Sequence, residues 1–124
     1  MRLFLLLGSL NGFLAVALGA FAAHGLKGKL SEYSLSIFQT GVQYQAIHAL
    51  ALLVVALLFK LTPAGSALAW SGWSFFLGIL FFSGSLFALS LSGIKVLGAI
   101  TPIGGVLFLA GWLLLAYHAW TSAA

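Results

Sequence analysis

A chain of 124 residues, 63% of them apolar and only 5% charged, cannot present the water-facing surface of an ordinary soluble domain, in which about a quarter of residues carry charge. Its mean hydropathy of +1.20 points instead to one all-α membrane domain over residues 1–124. The net charge of +4 is spread over Arg2, Lys27, Lys29, Lys60 and Lys95, too far apart for a nucleic-acid-binding patch, and the absence of cysteine excludes disulfides, thiolate catalysis and thiolate metal ligation.

Four stretches are long enough to cross about 30 Å of hydrocarbon at about 1.5 Å per residue: residues 3–23, 40–59, 68–89 and 96–120. The first begins like a cleavable signal sequence, with Arg2, an apolar run and Ala20-Phe21-Ala22. The run exceeds the usual apolar core of about 7 to 15 residues, and Asn11 and His24 are foreign to one, so this stretch is read as a retained transmembrane helix. Gly8, Gly12, Gly19 and Ala23 fall near one of its faces, where small side chains let a neighbouring helix approach in lipid.

A loop carrying Lys27, Gly28, Lys29 and Glu32 follows. Residues 30–39 mix Leu30, Tyr33 and Ile37 with Ser31, Ser34, Ser36 and Gln39. Two readings fit them: an interfacial or half-buried helix entering the second span, or an ordinary polar loop before a slightly extended second span. The second span opens with Gln39, Thr40, Gln43, Tyr44, Gln45 and His48, and Gln45 and His48 are three apart, on one helical side. A turn at Lys60, Thr62, Pro63, Ala64 and Gly65 then separates two helical hairpins.

The third span carries two small-residue pairs, Ser74 with Gly78 and Gly84 with Ala88, and a turn at 90–95 leads to the fourth. There Thr101-Pro102-Ile103-Gly104-Gly105 reads first as a first-turn proline with a packing glycine pair and second as a helix break that exposes carbonyls, and Gly98, Gly105 and Gly111 reduce bulk along the span. Trp70 and Trp120 suit interfacial anchoring at one membrane side, and Trp73 and Trp112 lie deeper against neighbouring helices. Four crossings put both termini on one side with Lys60, while Lys27, Lys29 and Lys95 share the other. The Lys/Arg balance of three to two points to cytoplasmic odd-numbered loops and external termini.

The polar groups of the second span must find partners inside hydrocarbon, and Asn11 and Ser9 of the first span are candidates. The ligand-binding candidates are Asn11, His24, Gln39, Gln43, Tyr44, Gln45 and His48. The leading reading is structural hydrogen bonding, and the second is solute or proton recognition. A metal is disfavoured because histidine sites need three or four ligands and Glu32 is the only acid. No catalytic set is assigned: one carboxylate gives no acid/base pair, and neither a phosphate loop nor an H-E-x-x-H segment is present. No cofactor is implied.

Four segments carry a resemblance to a known family: Gly19-Ala20-Phe21-Ala22-Ala23-His24-Gly25-Leu26, Phe38-Gln39-Thr40-Gly41-Val42-Gln43-Tyr44-Gln45-Ala46-Ile47-His48-Ala49-Leu50, Phe82-Ser83-Gly84-Ser85-Leu86-Phe87 and Thr101-Pro102-Ile103-Gly104-Gly105. In these the chain resembles the small membrane-protein family that includes bacterial YgdD and YwdK and the animal transmembrane protein 256. The resemblance implies a compact four-helix membrane protein and supplies no settled molecular activity. The sequence therefore supports two function classes. The first is a structural or accessory protein that contacts membrane lipid and assembles with itself or another membrane protein through its small-residue faces, the helix-packing residues being Gly8, Gly12, Gly19, Gly78, Gly84, Gly104 and Gly105. The second is solute binding or transport through the polar cluster. A bacterial plasma membrane is the simplest location.

Overall fold

The computed structural model describes residues 2–63 and 65–122; Ala64, in the turn between the hairpins, lies outside them. Helix α1 (Arg2–Phe21) runs into a π-helical turn (Ala22–Leu26), and α2 (Glu32–Leu61) follows. The third span is α3 (Ser66–Gly78), a π-helical turn (Ile79–Ser83) and α4 (Gly84–Ser92). A 3-10 turn (Lys95–Ala99) leads into α5 (Thr101–Thr121). The four continuous stretches Arg2–Leu26, Glu32–Leu61, Ser66–Ser92 and Lys95–Thr121 are each long and apolar enough to cross a membrane, making this a transmembrane four-helix bundle.

From Glu32 the segment 30–39 is helical and enters the second span without a break. It is the first part of α2, which starts because the Ser31 hydroxyl accepts the Ser34 N–H at 3.1 Å and because Glu32 stands at the positive end of the helix dipole. At 30 residues α2 is about 45 Å long, so its first turns extend past the hydrocarbon and leave Tyr33 exposed. Gly93 closes α4 at φ 74°, the left-handed conformation that ends helices, with its N–H on the Leu89 carbonyl at 2.8 Å. Pro102 sits in the first turn of α5, where its missing N–H costs nothing.

Backbone packing is closest between successive spans, and large side chains such as Phe4 and Trp112 reach across the bundle. Helix α1 lies against α2, α2 lies along α3, the second π-turn and α4, and α5 packs on α3 and that π-turn. The middle spans are accordingly the more enclosed: 39% of the most apolar 18-residue window is buried in each, against 22% in the first span and 17% in the fourth. The apolar side chains left outside on α1 and α5, such as Val16 and Leu113, face lipid.

The core is built by phenylalanines seated on glycines. Beta-carbons added at Gly72, Gly41 and Gly111 would lie 2.6 Å from the Phe4 ring, 2.7 Å from the Phe87 ring and 2.6 Å from the Phe75 ring. One at Gly78 would collide with Phe108, and one at Gly104 with the backbone of Phe82. In lipid no aqueous hydrophobic drive separates helix from solvent, so close dispersion contacts of this kind carry the association. Phe4, Leu52, Val55, Leu68, Phe75 and Phe108 form the larger buried cluster. Ala22, Leu26 and Phe38, with Phe87 packed on them, form a second at the far end.

The expected packing glycines divide. Gly8 touches α2, with its notional Cβ 3.0 Å from the Ala49 carbonyl, and Gly19 approaches Val42. Gly12 and Gly84 have nothing within 4 Å, and Gly105 only Phe82 at 3.9 Å. Gly12 does not pack because one further helical turn carries it about 40° around α1 from Gly8, onto the wall of a lateral groove with Phe13 and Ala46. Gly84 does not pack because Ser83 and Ser85 beside it take the inward positions.

Candidate functional site

Helix α2 presents Gln45 and His48 on its buried side, three residues apart and therefore adjacent on the helix. The Gln45 side-chain amide donates to the Asn11 side-chain oxygen at 3.0 Å, and the Asn11 amide donates to the Leu7 carbonyl at 2.9 Å. Both side chains are buried. The pair thus joins α1 to α2, and the Gln45 carbonyl oxygen is left without a hydrogen-bond partner.

His48 turns the other way. Its Nδ1 lies 2.8 Å from the Tyr44 carbonyl, and its Nε2 accepts the Trp112 indole N–H at 3.0 Å. A carbonyl only accepts and an indole N–H only donates, so the ring is the neutral Nδ1–H tautomer. Phe108 covers it face to face, with centroids 3.6 Å apart and planes within 7°, and Phe75 closes in at 5.6 Å. Both ring nitrogens are occupied, and His48 is 3% exposed.

Three further polar links join spans. The Ser83 hydroxyl, in the second π-turn, donates to the Gly41 carbonyl at 2.7 Å. Ser85 donates to the Phe82 carbonyl at 2.9 Å, so Thr101, 2.6 Å away, donates to Ser85. At the opposite end the Thr62 hydroxyl donates to the Leu58 carbonyl at 2.7 Å, which leaves His118 Nε2–H to donate to Thr62 at 2.9 Å. Among the described residues each span is therefore tied to another by at least one side-chain hydrogen bond. The sequence singles out Asn11 as a partner for the second span; it does not single out Trp112, Ser83, Ser85 or the Thr62–His118 pair. A hydroxyl inside an apolar run can donate to a carbonyl of its own helix, as Ser85 and Thr62 do, or to one of another helix, as Ser83 does, and the sequence does not mark which.

The remaining candidates lie apart from this core. His24 is exposed in the first π-turn, and Gln39 and Gln43 are exposed along the outer face of α2. Ser9 is exposed as well. His24, His48 and His118 stand at one end, the middle and the other end of the bundle, and among the described residues no three His, Asp or Glu side chains come together. Tyr44, 38% exposed, packs at a tilt against Phe82 with ring centroids 4.7 Å apart and shares with His48, Phe108 and Trp112 the wall of an open lateral groove of about 450 Å³.

Comparison with known proteins gives a consistent placement. The family model described as "Protein of unknown function (DUF423)" matches residues 18–105. A UPF0382 membrane protein of a bovine strain of Staphylococcus aureus is 52% identical over 96 residues, covering 77% of each chain. The UPF0382 membrane protein YwdK of Bacillus subtilis is 51% identical over 97 residues, covering 77% of this chain and 78% of its own. A Staphylococcus haemolyticus relative of the same description is 50% identical over 96 residues, covering 77% of each. No solved structure gives a significant match. The four apolar helices and these bacterial membrane-protein relatives make the chain an integral multi-pass protein of the bacterial plasma membrane.

Proposed function

The chain belongs to the DUF423 family of membrane proteins, and we propose that it serves as a structural or accessory component that assembles with itself or with another membrane protein. The observation that carries this reading is the consumption of the buried polar cluster by the bundle itself. Asn11 and Gln45 are spent on each other, and both nitrogens of His48 are spent on Tyr44 and Trp112. A solute or proton path needs groups that can exchange partners, and these are fixed in a core of stacked aromatic rings.

Most small-residue positions are also used up within the single chain. Gly8, Gly78 and Gly104 already hold neighbouring spans, so they are not free to receive a partner. Gly84 and Ala88 form the small pair left unfilled on the third span: nothing lies within 4 Å of a Cβ at Gly84, and Ala88 is exposed. A foreign helix can approach closely there.

The test is the Gly84→Leu variant, compared with wild type in nanodiscs and by crosslinking in native membranes. The added side chain meets open space, so the monomer keeps its thermal stability while a discrete crosslinked complex is lost. In proteoliposomes neither wild type nor His48→Ala raises proton leak above protein-free vesicles. A flux that is present in wild type and abolished by His48→Ala overturns the structural reading in favour of solute or proton transfer.

A further inference from the structure

Arg2 at the start of α1 and Lys60 at the end of α2 stand on the same rim. They frame one cavity of about 470 Å³ whose other walls are Leu5, Leu53, Ala56 and Leu57. Leu53 also bounds a second cavity of about 370 Å³, which continues down the same α1–α2 seam past Gly8, Gly12, Ala46 and Ala49. The two cavities meet at Leu53 on one α1–α2 seam, both apolar and open to the side, with two cations on the rim of the upper one. Gly12 lies about 15 Å below Arg2 along the helix axis, and one leaflet's hydrocarbon is about 15 Å deep.

The charges on the rim lack a side-chain counter-ion from this chain. Its one acidic side chain, Glu32, begins α2 while Lys60 lies in its last turn, about 42 Å away along the helix. Two cations held above a groove of acyl-chain depth, with glycine and alanine for a floor, complement a molecule that is anionic at one end and apolar along its length. The geometry points to a binding site for an anionic glycerophospholipid of the leaflet facing Arg2 and Lys60. Its phosphate lies between these two side chains and one acyl chain lies along the α1–α2 seam over Gly12. Free glycerol phosphate offers the same charge without the chain, and the groove discriminates against it.

Native mass spectrometry of the full-length protein in detergent, titrated with phosphatidylglycerol or with phosphatidylcholine of the same acyl chains, tests the site. Wild type retains phosphatidylglycerol preferentially, and the doubly neutral variant Arg2→Gln/Lys60→Gln loses that preference by about fivefold for each cation removed. Gly12→Leu fills the groove where nothing lies within 4 Å, so it lowers retention of the lipid while circular dichroism and melting temperature stay those of wild type. sn-Glycerol 3-phosphate alone gives no retained adduct. Preference surviving in the doubly neutral variant, unchanged retention in Gly12→Leu, or equal retention of glycerol phosphate each overturns the assignment.

Discussion

Trp112 and His48, 64 residues apart in sequence, meet through an indole N–H to imidazole Nε2 hydrogen bond of 3.0 Å that fixes the outer helix α5 to the centre of α2. A ring that accepts at Nε2 while its Nδ1 is held by the Tyr44 carbonyl carries one proton and has both nitrogens engaged within the bundle. Trp112→Phe keeps much of the ring packing, including the edge contact with Phe75 at 4.8 Å, and strands Nε2 in an apolar surround. It is expected to cost about 1 kcal/mol, in the range measured for hydrogen bonds between membrane helices. His48→Phe with Trp112→Phe removes both partners and should cost less than the two single changes added together. Thermal unfolding in detergent measures all three variants, and strict additivity would show that the two side chains do not act as a pair.

The closest approach between spans sets a second expectation. A Cβ at Gly104 would overlap the Phe82 backbone, whereas one at Gly105 comes no nearer than 3.9 Å to a flexible ring. Backbone cannot yield as a side chain tip can, so Gly104→Ala forces α5 away from the second π-turn and strains the Ser85–Thr101 link. The expected loss is about 1 to 3 kcal/mol, against near neutrality for Gly105→Ala. Melting temperatures of the two alanine variants, measured side by side in one detergent, decide the matter; equal values would mean that the helix pair is not in close contact at Gly104.

The Asn11–Gln45 pair gives a third. Asn11→Leu removes the acceptor of a buried amide whose own carbonyl oxygen already lacks a partner, leaving the whole Gln45 head group unsatisfied. Gln45→Leu with Asn11→Leu replaces the pair by apolar side chains and should recover part of the loss, because apolar substitution of both partners avoids the desolvation cost that a single substitution incurs. The coupling in this cycle is expected to be about 0.5 to 1.5 kcal/mol. A coupling of zero would remove the pair from the list of interactions that hold α1 to α2.

The parts of this architecture differ in how far composition reveals them. Four spans follow directly from the length of apolar chain needed to cross hydrocarbon, and Pro102 and Gly93 mark helix ends by backbone chemistry alone. The start of α2 was not legible, because Ser31, Glu32 and Ser34 are equally at home in a polar loop and in a capped first turn. The π-turn at Ile79–Ser83 leaves no pattern either: it forms where Phe82 must meet Gly104 and where Ser83 must reach the Gly41 carbonyl, contacts between spans remote in sequence. The candidate site divides in the same way. That polar groups within an apolar span need partners is legible, and Asn11 follows from its type. The assignment of Gln45 to α1 and His48 to α5 depends on which flank of α2 each helix occupies. Gly41 and Gly72 escape notice because their partners are phenylalanines on other helices, and glycine spacing within one helix says nothing of those.

Orientation supplies the last expectation. Arg2 and Lys60 share one end of the bundle and Lys27, Lys29 and Lys95 the other, so the positive-inside rule places the three-lysine end in the cytoplasm and the termini outside. The absence of native cysteine makes this directly measurable. Ser122→Cys, beyond the end of α5, should react with a membrane-impermeant maleimide in intact cells, and Tyr33→Cys, 74% exposed at the start of α2, should react only after permeabilisation. Moving the balance tests its cause: Lys27→Gln with Lys29→Gln leaves a single lysine on that side against Arg2 and Lys60. Labelling in intact cells should then pass, wholly or in part, from the Ser122→Cys variant to the Tyr33→Cys variant. If labelling stays where it was, the lysine balance does not set the orientation, and the charge bias between the two ends is then a matter of what each end binds.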